Sequence, residues 1–308
     1  MNGSLAPIVD AIGKILLGKQ EQVKLALCCL LARGHLLIED LPGMGKTTLA
    51  QCLARVLGLS YERVQFTSDL LPGDILGMSI FDRNSGEFKF HSGPIFTQVL
   101  LADEINRSTP KTQSALLEAM EERQVSLEGE TRALPEPFFV IATQNPLSQA
   151  GTYPLPESQL DRFLLSISLG YPDAKSEREL LRGMDPREMM QTLIPACNAA
   201  DLLFWQKQAL QIKVSEQLLD YVQRLVDLTR SHERFPVGLS PRAAMGLLRV
   251  AKAWTLLHNR EHVLPDDIQA VLPALVEHRV LQGARVRDPA DRDSLSAFLL
   301  DSVEVVVP

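Results

Sequence analysis

The spacing of apolar and polar positions changes character along the chain. From Ile8 to Arg33 apolar residues recur at helical intervals, with a break at Leu17-Gly18-Lys19-Gln20. His35 to Glu39 is a short apolar run of strand length. A glycine-rich turn follows, then a helix predicted from Lys46 to Leu57 and stopped by Gly58. Strands are further predicted at Tyr61–Phe66, Gln98–Ala102, Phe138–Thr143 and Phe163–Ser168, with a polar-faced helix over Lys111–Glu122. Apolar strands alternating with helices indicate an α/β fold with a parallel sheet covered on both faces. Two stretches interrupt that alternation. Ser79 to Phe90 has two alternating arms around Asn84-Ser85-Gly86, and Val125 to Leu134 has two around Gly129. Both read as hairpins.

Beyond Tyr171-Pro172-Asp173 the strand pattern gives way to helices. Asp173–Met190 reads as charged and helical, and Leu218, Val222, Leu225, Val226 and Thr229 share a helical face. Ser240-Pro241 and Pro265-Asp266-Asp267 each open a helix. The expected organisation is an α/β body over residues 1–170 with hairpin inserts near 79–90 and 125–134. A small all-helical domain is expected over residues 171–308. No internal repeat stands out.

Composition narrows the class. Among 308 residues, 45% are hydrophobic and 22% charged, which supports a packed core. No apolar run approaches the roughly 20 residues that cross a bilayer, and Met1–Val9 lacks the regions of a signal peptide. A cytoplasmic address is the default expectation. The net charge of −7 makes a broad basic surface for nucleic acid unexpected, though a local basic channel remains open. Cys28, Cys29, Cys52 and Cys197 form no CxxC pair and read as buried, reduced thiols.

The chemistry concentrates in the turn after the first strand. Asp40-Leu41-Pro42-Gly43-Met44-Gly45-Lys46-Thr47-Thr48 lies between a strand and a helix, the setting a phosphate-binding loop requires. Gly43 and Gly45 let backbone N–H groups approach phosphate oxygens without a Cβ in the way. Lys46 would neutralise the β and γ phosphates, Thr47 would ligate Mg²⁺, and the helix adds its positive end. Asp40 stands where GxxxxGK[ST] has its first glycine, although the cradle itself is built from residues 42 to 48. Val99 to Glu104 ends an apolar strand in two carboxylates at the carboxyl edge of the sheet. There Asp103 would hold Mg²⁺ through its water shell, and Glu104 would polarise water for attack on the γ phosphate. Asn145 ends the Phe138–Thr143 strand at the same edge. The residues alone leave two roles open for it, orienting the water or forming a turn before Pro146. Arg162 can pair as a surface charge with Asp161 or Glu157. Arg242 stands in the first turn of its helix, where the dipole disfavours a cation by roughly 0.3 to 1 kcal/mol. That placement hints at an external anion.

These residues carry a family resemblance. GMGKTT, LLADEINRSTPKTQSALLEAMEERQV, FFVIATQNP, PLPESQLDRFLL and GLSPRAAMGLLRVAKAWTLLHNREHVLPDDI together resemble the MoxR group of AAA+ ATPases, from Ile8 to about Asp288. The resemblance implies a P-loop NTPase core with a helical lid, ATP and Mg²⁺ as ligands, and Lys46 and Thr47 in Walker A. It implies Asp103 and Glu104 in Walker B, Asn145 as sensor 1, Arg162 as an arginine finger for the neighbour's ATP and Arg242 as sensor 2. Leu17 and Gly18 match the segment near adenine, and the two hairpins match inserts that face a central pore. It further implies a ring, commonly hexameric, that remodels protein clients with partners carrying von Willebrand A domains, sometimes in metal-cofactor insertion.

Two rivals remain at this stage. A nucleic-acid translocase shares such hairpins, but pore loops gripping phosphates should be net basic. Arg83, Lys89 and His91 face Asp82 and Glu87 in the first hairpin, and Arg132 faces Glu128 and Glu130 in the second. A nucleotide-gated scaffold without turnover is disfavoured by the joint presence of Glu104 and Arg162. Whether Arg242 acts on its own subunit's ATP or the neighbour's stays open.

Overall fold

A computed structural model describes residues 5–145, 151–183, 185–280 and 289–305. Pro146, noted above beside Asn145, lies outside the described residues. In chain order the elements begin with α1 (Ala6–Gly13), α2 (Gln20–Leu31), β1 (Leu36–Glu39), α3 (Lys46–Val56), β2 (Tyr61–Gln65) and α4 (Pro72–Leu76). Then come β3 (Gly77–Asp82), β4 (Glu87–Ser92), β5 (Val99–Asp103), α5 (Pro110–Glu122), β6 (Gln124–Leu127) and β7 (Glu130–Ala133). The body closes with β8 (Phe139–Gln144), α6 (Glu157–Leu160) and β9 (Leu165–Ile167). Thereafter the chain is helical: α7 (Ala174–Leu181), α8 (Pro186–Gln191), α9 (Ala199–Gln211), α10 (Glu216–Ser231), α11 (Pro241–Leu257), α12 (Pro265–Val280) and α13 (Pro289–Ser302).

The central sheet runs β2-β5-β8-β1-β9, with every pairing parallel. From β1 the chain crosses through α3 to the far edge at β2, and β5 and β8 later fill the gap. Both faces of the sheet are covered. Leu36, Ile38, Leu101, Ile141 and Leu165 face one apolar cluster, and Leu37, Leu100, Val140 and Phe163 face another. This alternation is why these runs look uniformly apolar in sequence. Burying each such side chain stabilises the fold by roughly 1.5–3 kcal/mol.

The two hairpins form as expected, pairing Gly77 with Ser92 through Asp82 with Glu87, and Gln124 with Ala133 through Leu127 with Glu130. They touch each other. The Ser79 hydroxyl donates to Glu128, and the Arg132 guanidinium lies 3.9 Å from the Phe90 ring centroid. Lys89 pairs with Asp82 and Arg132 with Glu130, so two of the hairpin cations are already compensated.

The helical part adds detail to the sequence reading in two places. Asp173–Met190 is helical as expected and is divided into α7 and α8, because Gly183 takes a φ of 97° and Pro186 cannot extend a helix from before it. Helix α9 was not predicted, yet it carries a full start signal: Asn198 caps it, with Asp201 closing a reciprocal capping box. The predicted face of α10 is as expected, with Leu218, Val222, Leu225, Val226 and Thr229 all buried.

The helices do not form a separate core. Leu27, Leu165, Leu202, Leu247 and Leu272 belong to one contiguous apolar cluster that spans α2, β9, α9, α11 and α12. Polar ties reinforce it. The buried Arg279 of α12 donates to Asp161 at 2.8 Å and to the carbonyls of Phe163 (2.6 Å) and Leu164 (3.1 Å). Gln206 of α9 donates to the Leu30 carbonyl at 2.9 Å.

His35, unremarked in the sequence, locks three elements. One ring nitrogen, Nδ1, accepts the Val140 N–H at 3.0 Å, and Nε2 lies 3.2 Å from the Met120 carbonyl. Burial pushes its pKa down to about 4, against the Met120 contact and with the nearby Arg123 and Arg242. The neutral ring is therefore the folded form, and the unfolded chain takes up the proton first as pH falls. Stability should decline from about pH 6.5 toward 4 by up to ~1.4 kcal/mol per pH unit. Denaturant titrations of wild type and His35→Gln at pH 7 and pH 5 check this. The variant should be weaker at pH 7 but lose less on acidification, and an equal loss in both would refute it.

Candidate nucleotide site

The loop after β1 has the backbone that a phosphate cradle needs. Gly43 and Gly45 adopt φ of 84° and 92°, and Gly45 stands in left-handed conformation as the N-cap of α3. A Cβ on Gly45 would come 3.1 Å from Leu16, so the loop also abuts the α1–α2 connection. Pro42 and Gly43 are exposed, while Met44, Thr47 and Thr48 are half-buried and Lys46 is buried. The Lys46 ammonium donates to the Asp40 carbonyl at 2.6 Å. Burial lowers the Lys46 pKa, opposed by the charges of Asp40, Asp103 and Glu104. The site is thus built around a cation that lacks a carboxylate ion partner of its own among the described contacts, the arrangement expected of a phosphate-binding lysine.

The acidic pair stands across the β1–β8–β5 ladder from this loop. Asp103 closes β5, its Oδ1 accepting the Thr143 hydroxyl at 2.6 Å and its Oδ2 the Arg63 guanidinium at 2.7 Å. Glu104 follows in left-handed conformation (φ 56°), a costly geometry for a non-glycine residue. Its N–H donates to Thr143 Oγ1 at 2.8 Å. Its carboxylate receives Gln65 at 3.1 Å and Arg107 at 3.0 Å. Asn145 directly follows β8, whose last residue Gln144 pairs with Glu39 and accepts the Asp40 N–H at 3.2 Å. The sheet thus brings Lys46, Asp103, Glu104 and Asn145 to one edge.

Leu17 and Gly18 line a cavity of about 570 Å³ against Asp173 and Ser176 at the start of α7. Gly18 has a φ of 70°, and a Cβ there would meet Ser176 Oγ at 2.7 Å.

The two arginines are elsewhere. Arg162 and Arg242 share one carboxylate, that of Glu121, at 3.1 and 2.7 Å. They line a cavity of about 260 Å³ with Arg33, Arg123, Arg249 and Arg279, against only Glu121 and Asp161 as anions. This cluster lies where β1 and β9 begin, at the sheet edge opposite the phosphate loop. The anion that Arg242 called for is thus present within the chain, and Arg162 pairs with neither Asp161 nor Glu157. Crowding leaves its mark: Arg249 is pushed below the usual arginine range by burial, Arg242 and Arg123.

Comparison with known proteins agrees with this geometry. Residues 35–165 match the model of the ATPase family associated with various cellular activities (AAA), and residues 227–297 match the AAA lid domain. The chain is 42% identical to Chaperone MoxR1 of Mycobacterium tuberculosis, covering 90% of this chain and 76% of the relative. It is 31% identical to Protein MoxR of Paracoccus denitrificans over 97% of this chain and 94% of that one. The chain belongs to the MoxR family of AAA+ ATPases. The crystal structure of a candidate ATPase from Cytophaga hutchinsonii superimposes with a TM-score of 0.87 at 36% identity, covering 98% of this chain and 95% of that one. The P-loop core with a helical lid expected from sequence is therefore the fold of this MoxR-family chain.

Thr143, Arg63 and Gln65 escaped the sequence reading. Arg63 and Gln65 stand two apart on β2, hence on one face, and Gln65 pairs with Asp103 in register. Polar residues at that spacing on a strand are the signal that was there. Thr143 was hidden inside an apolar strand. Thr143→Val would leave the Glu104 N–H and one Asp103 oxygen unpaired, at about 1–3 kcal/mol. ATP turnover should fall about tenfold or more with ATP affinity little changed. Wild-type turnover in a steady-state ATPase assay would contradict that role.

Proposed function

We propose that ATP binds at the phosphate loop of one subunit and is hydrolysed with arginines supplied by the next subunit of a ring, driving remodelling of protein clients. The observation that carries this reading is the single carboxylate shared by Arg162 and Arg242 at the edge away from Lys46. Two cations that act on a γ phosphate from there act on the phosphate of another copy. On this reading Arg242, like Arg162, works across the interface.

In the chemistry proposed, backbone N–H groups of residues 42–48 and the Lys46 ammonium hold the β and γ phosphates. Leu17 and Gly18 border the base. Glu104 accepts the proton of a water that attacks the γ phosphorus, the bond to the bridging oxygen breaks, and ADP and phosphate leave. Asn145 orients that water. Arg162 and Arg242 stabilise the charge that develops on the γ oxygens, an effect worth 10³ to 10⁵ in rate in related phosphoryl transfers. Thr47 and Asp103 fit Mg²⁺ as one hydroxyl and one carboxylate, a donor set suited to a cation that keeps its waters and is shared with phosphates. When bound, Mg²⁺ would neutralise phosphate charge.

The body (residues 1–170) would carry this site and the helices (171–308) would act as its lid. The hairpins offer apolar side chains to a client: Phe81 and Phe88 stack edge-on at 5.3 Å and are 51% and 72% exposed. Nucleic acid is the weaker alternative, since Lys89 and Arg132 are spent on Asp82 and Glu130. A partner with a von Willebrand A domain and a hexameric ring are carried over from the family resemblance. No helix of the described residues is long and apolar enough to cross a membrane.

Lys46→Ala should lose tight ATP binding by calorimetry, and unchanged affinity would sink the assignment. Arg162→Ala and Arg242→Ala should each lower ATP turnover by about 10³-fold or more in a steady-state assay, and wild-type turnover in either would exclude a role for that arginine in hydrolysis. A Glu104→Gln protein held in ATP should capture the partner. Recovery of a von Willebrand A protein favours the remodelling reading, and recovered DNA the translocase.

A further inference from the structure

Asp40 occupies the position where phosphate-binding loops of this form have a glycine, and its contacts give the exchange a purpose. It is 6% exposed and joins three segments. Its N–H donates to the Gln144 carbonyl at 3.2 Å, next to Asn145. Its carbonyl receives the Lys46 ammonium at 2.6 Å. Its carboxylate Oδ2 accepts the N–H of Leu169 and, at 3.0 Å, that of Gly170. Those two residues leave β9 toward the helices. Gly170 holds a φ of 61°, so the chain turns at this point.

The outgoing segment is gripped a second time. The buried Lys19, next to Gly18, donates to the Tyr171 carbonyl at 2.6 Å. Asp173 then caps α7 by accepting the Ser176 N–H at 2.7 Å. Residues 169–173 are therefore held from the phosphate loop on one side and from the α1–α2 connection on the other.

We propose that Asp40 is a positioning residue that ties the lid's exit segment to the phosphate-bound state of Lys46. The tie rests on the reading of Lys46 as a phosphate ligand. Two side-chain torsions separate the Asp40 backbone from Oδ2, and the N–H groups of Leu169 and Gly170 restrain both. A shift of the Lys46 ammonium toward β and γ oxygens thus draws on the Asp40 carbonyl and is passed to Leu169 and Gly170 with little slack. A glycine here would still permit the phosphate cradle, because the cradle uses residues 42 to 48. It would cut the connection to the lid. A charged acceptor for two successive N–H groups is also a strong anchor, since hydrogen bonds to an ionised oxygen are roughly twice as strong as neutral ones.

The test combines amide hydrogen exchange with kinetics on the full chain. In wild type, exchange of the 169–171 amides should differ between the ADP-bound and the non-hydrolysable ATP analogue-bound protein. Identical exchange overturns the proposal whatever the variants do. Asp40→Gly should bind the analogue within about threefold of wild type, lose the exchange difference, and show a kcat lowered about tenfold or more. Asp40→Asn, which keeps an acceptor oxygen, should recover most of both. Wild-type kcat and exchange in Asp40→Gly would overturn the tie. Loss of analogue binding in Asp40→Gly would overturn it too, by placing Asp40 in the cradle. Absence of analogue binding by wild type would instead count against the nucleotide site itself.

Discussion

Parallel pairing imposes a polarity on this molecule that every other feature must respect. Because β1, β5 and β8 run the same way, whatever follows a strand gathers at one edge and whatever precedes a strand gathers at the other. Lys46 follows β1, Glu104 follows β5 and Asn145 follows β8. Arg33 and His35 precede or open β1, and Arg162 and Leu164 precede β9. No local adjustment of rotamers moves a side chain across the length of a strand. On the proposed reading the chain therefore has its phosphate site at one edge, while Arg162 and Arg242 meet Glu121 at the other. A ring of identical subunits is the simple way for heterologous edges to meet repeatedly.

The lid fits the same logic. Helix α11 carries Arg242 in its first turn, where the dipole opposes a cation, yet packing against α2 and α9 holds it beside Arg162. Glu121 offsets both charges. Its cost to a trans-acting role is small, because a half-exposed ion pair contributes only about 0–1 kcal/mol and can yield to a triphosphate. The apolar cluster running from α2 and β9 into α9, α11 and α12 makes the arginine edge a joint product of body and lid. Tilting the lid would change the spacing of Arg162 and Arg242, and the proposed role of Asp40 would give bound phosphate a route to that tilt.

Much of this was legible in the sequence, for identifiable reasons. Strands buried on both faces are uniformly apolar, so β1, β5 and β8 announced themselves. Both hairpins carried turn residues between alternating arms. The phosphate loop was legible because glycine spacing and a following Lys-Thr have few other uses between a strand and a helix. What stayed hidden is long-range. Nothing in the local pattern of Thr143 says that it bridges Asp103 and Glu104, since a threonine fits any buried strand. Arg63 and Gln65 lay on an edge strand whose neighbour was not deducible. That Arg162 and Arg242 converge on Glu121 depends on three segments up to 121 residues apart. The division of the helical Asp173–Met190 stretch into α7 and α8 has a local cause, since Gly183 and Pro186 stand where one helix ends and the next begins.

The central claim is that one copy supplies the phosphate site and another the arginines. The most direct measurement mixes two inactive proteins, Glu104→Gln and Arg162→Ala, and follows ATP turnover. The first lacks the base but retains the finger, and the second lacks the finger but retains the base. If the site is shared between copies, the mixture regains turnover well above either protein alone, from interfaces that pair an intact Glu104 with an intact Arg162. If each copy completes its own site, no interface in the mixture is whole, and turnover stays at the sum of the two inactive proteins.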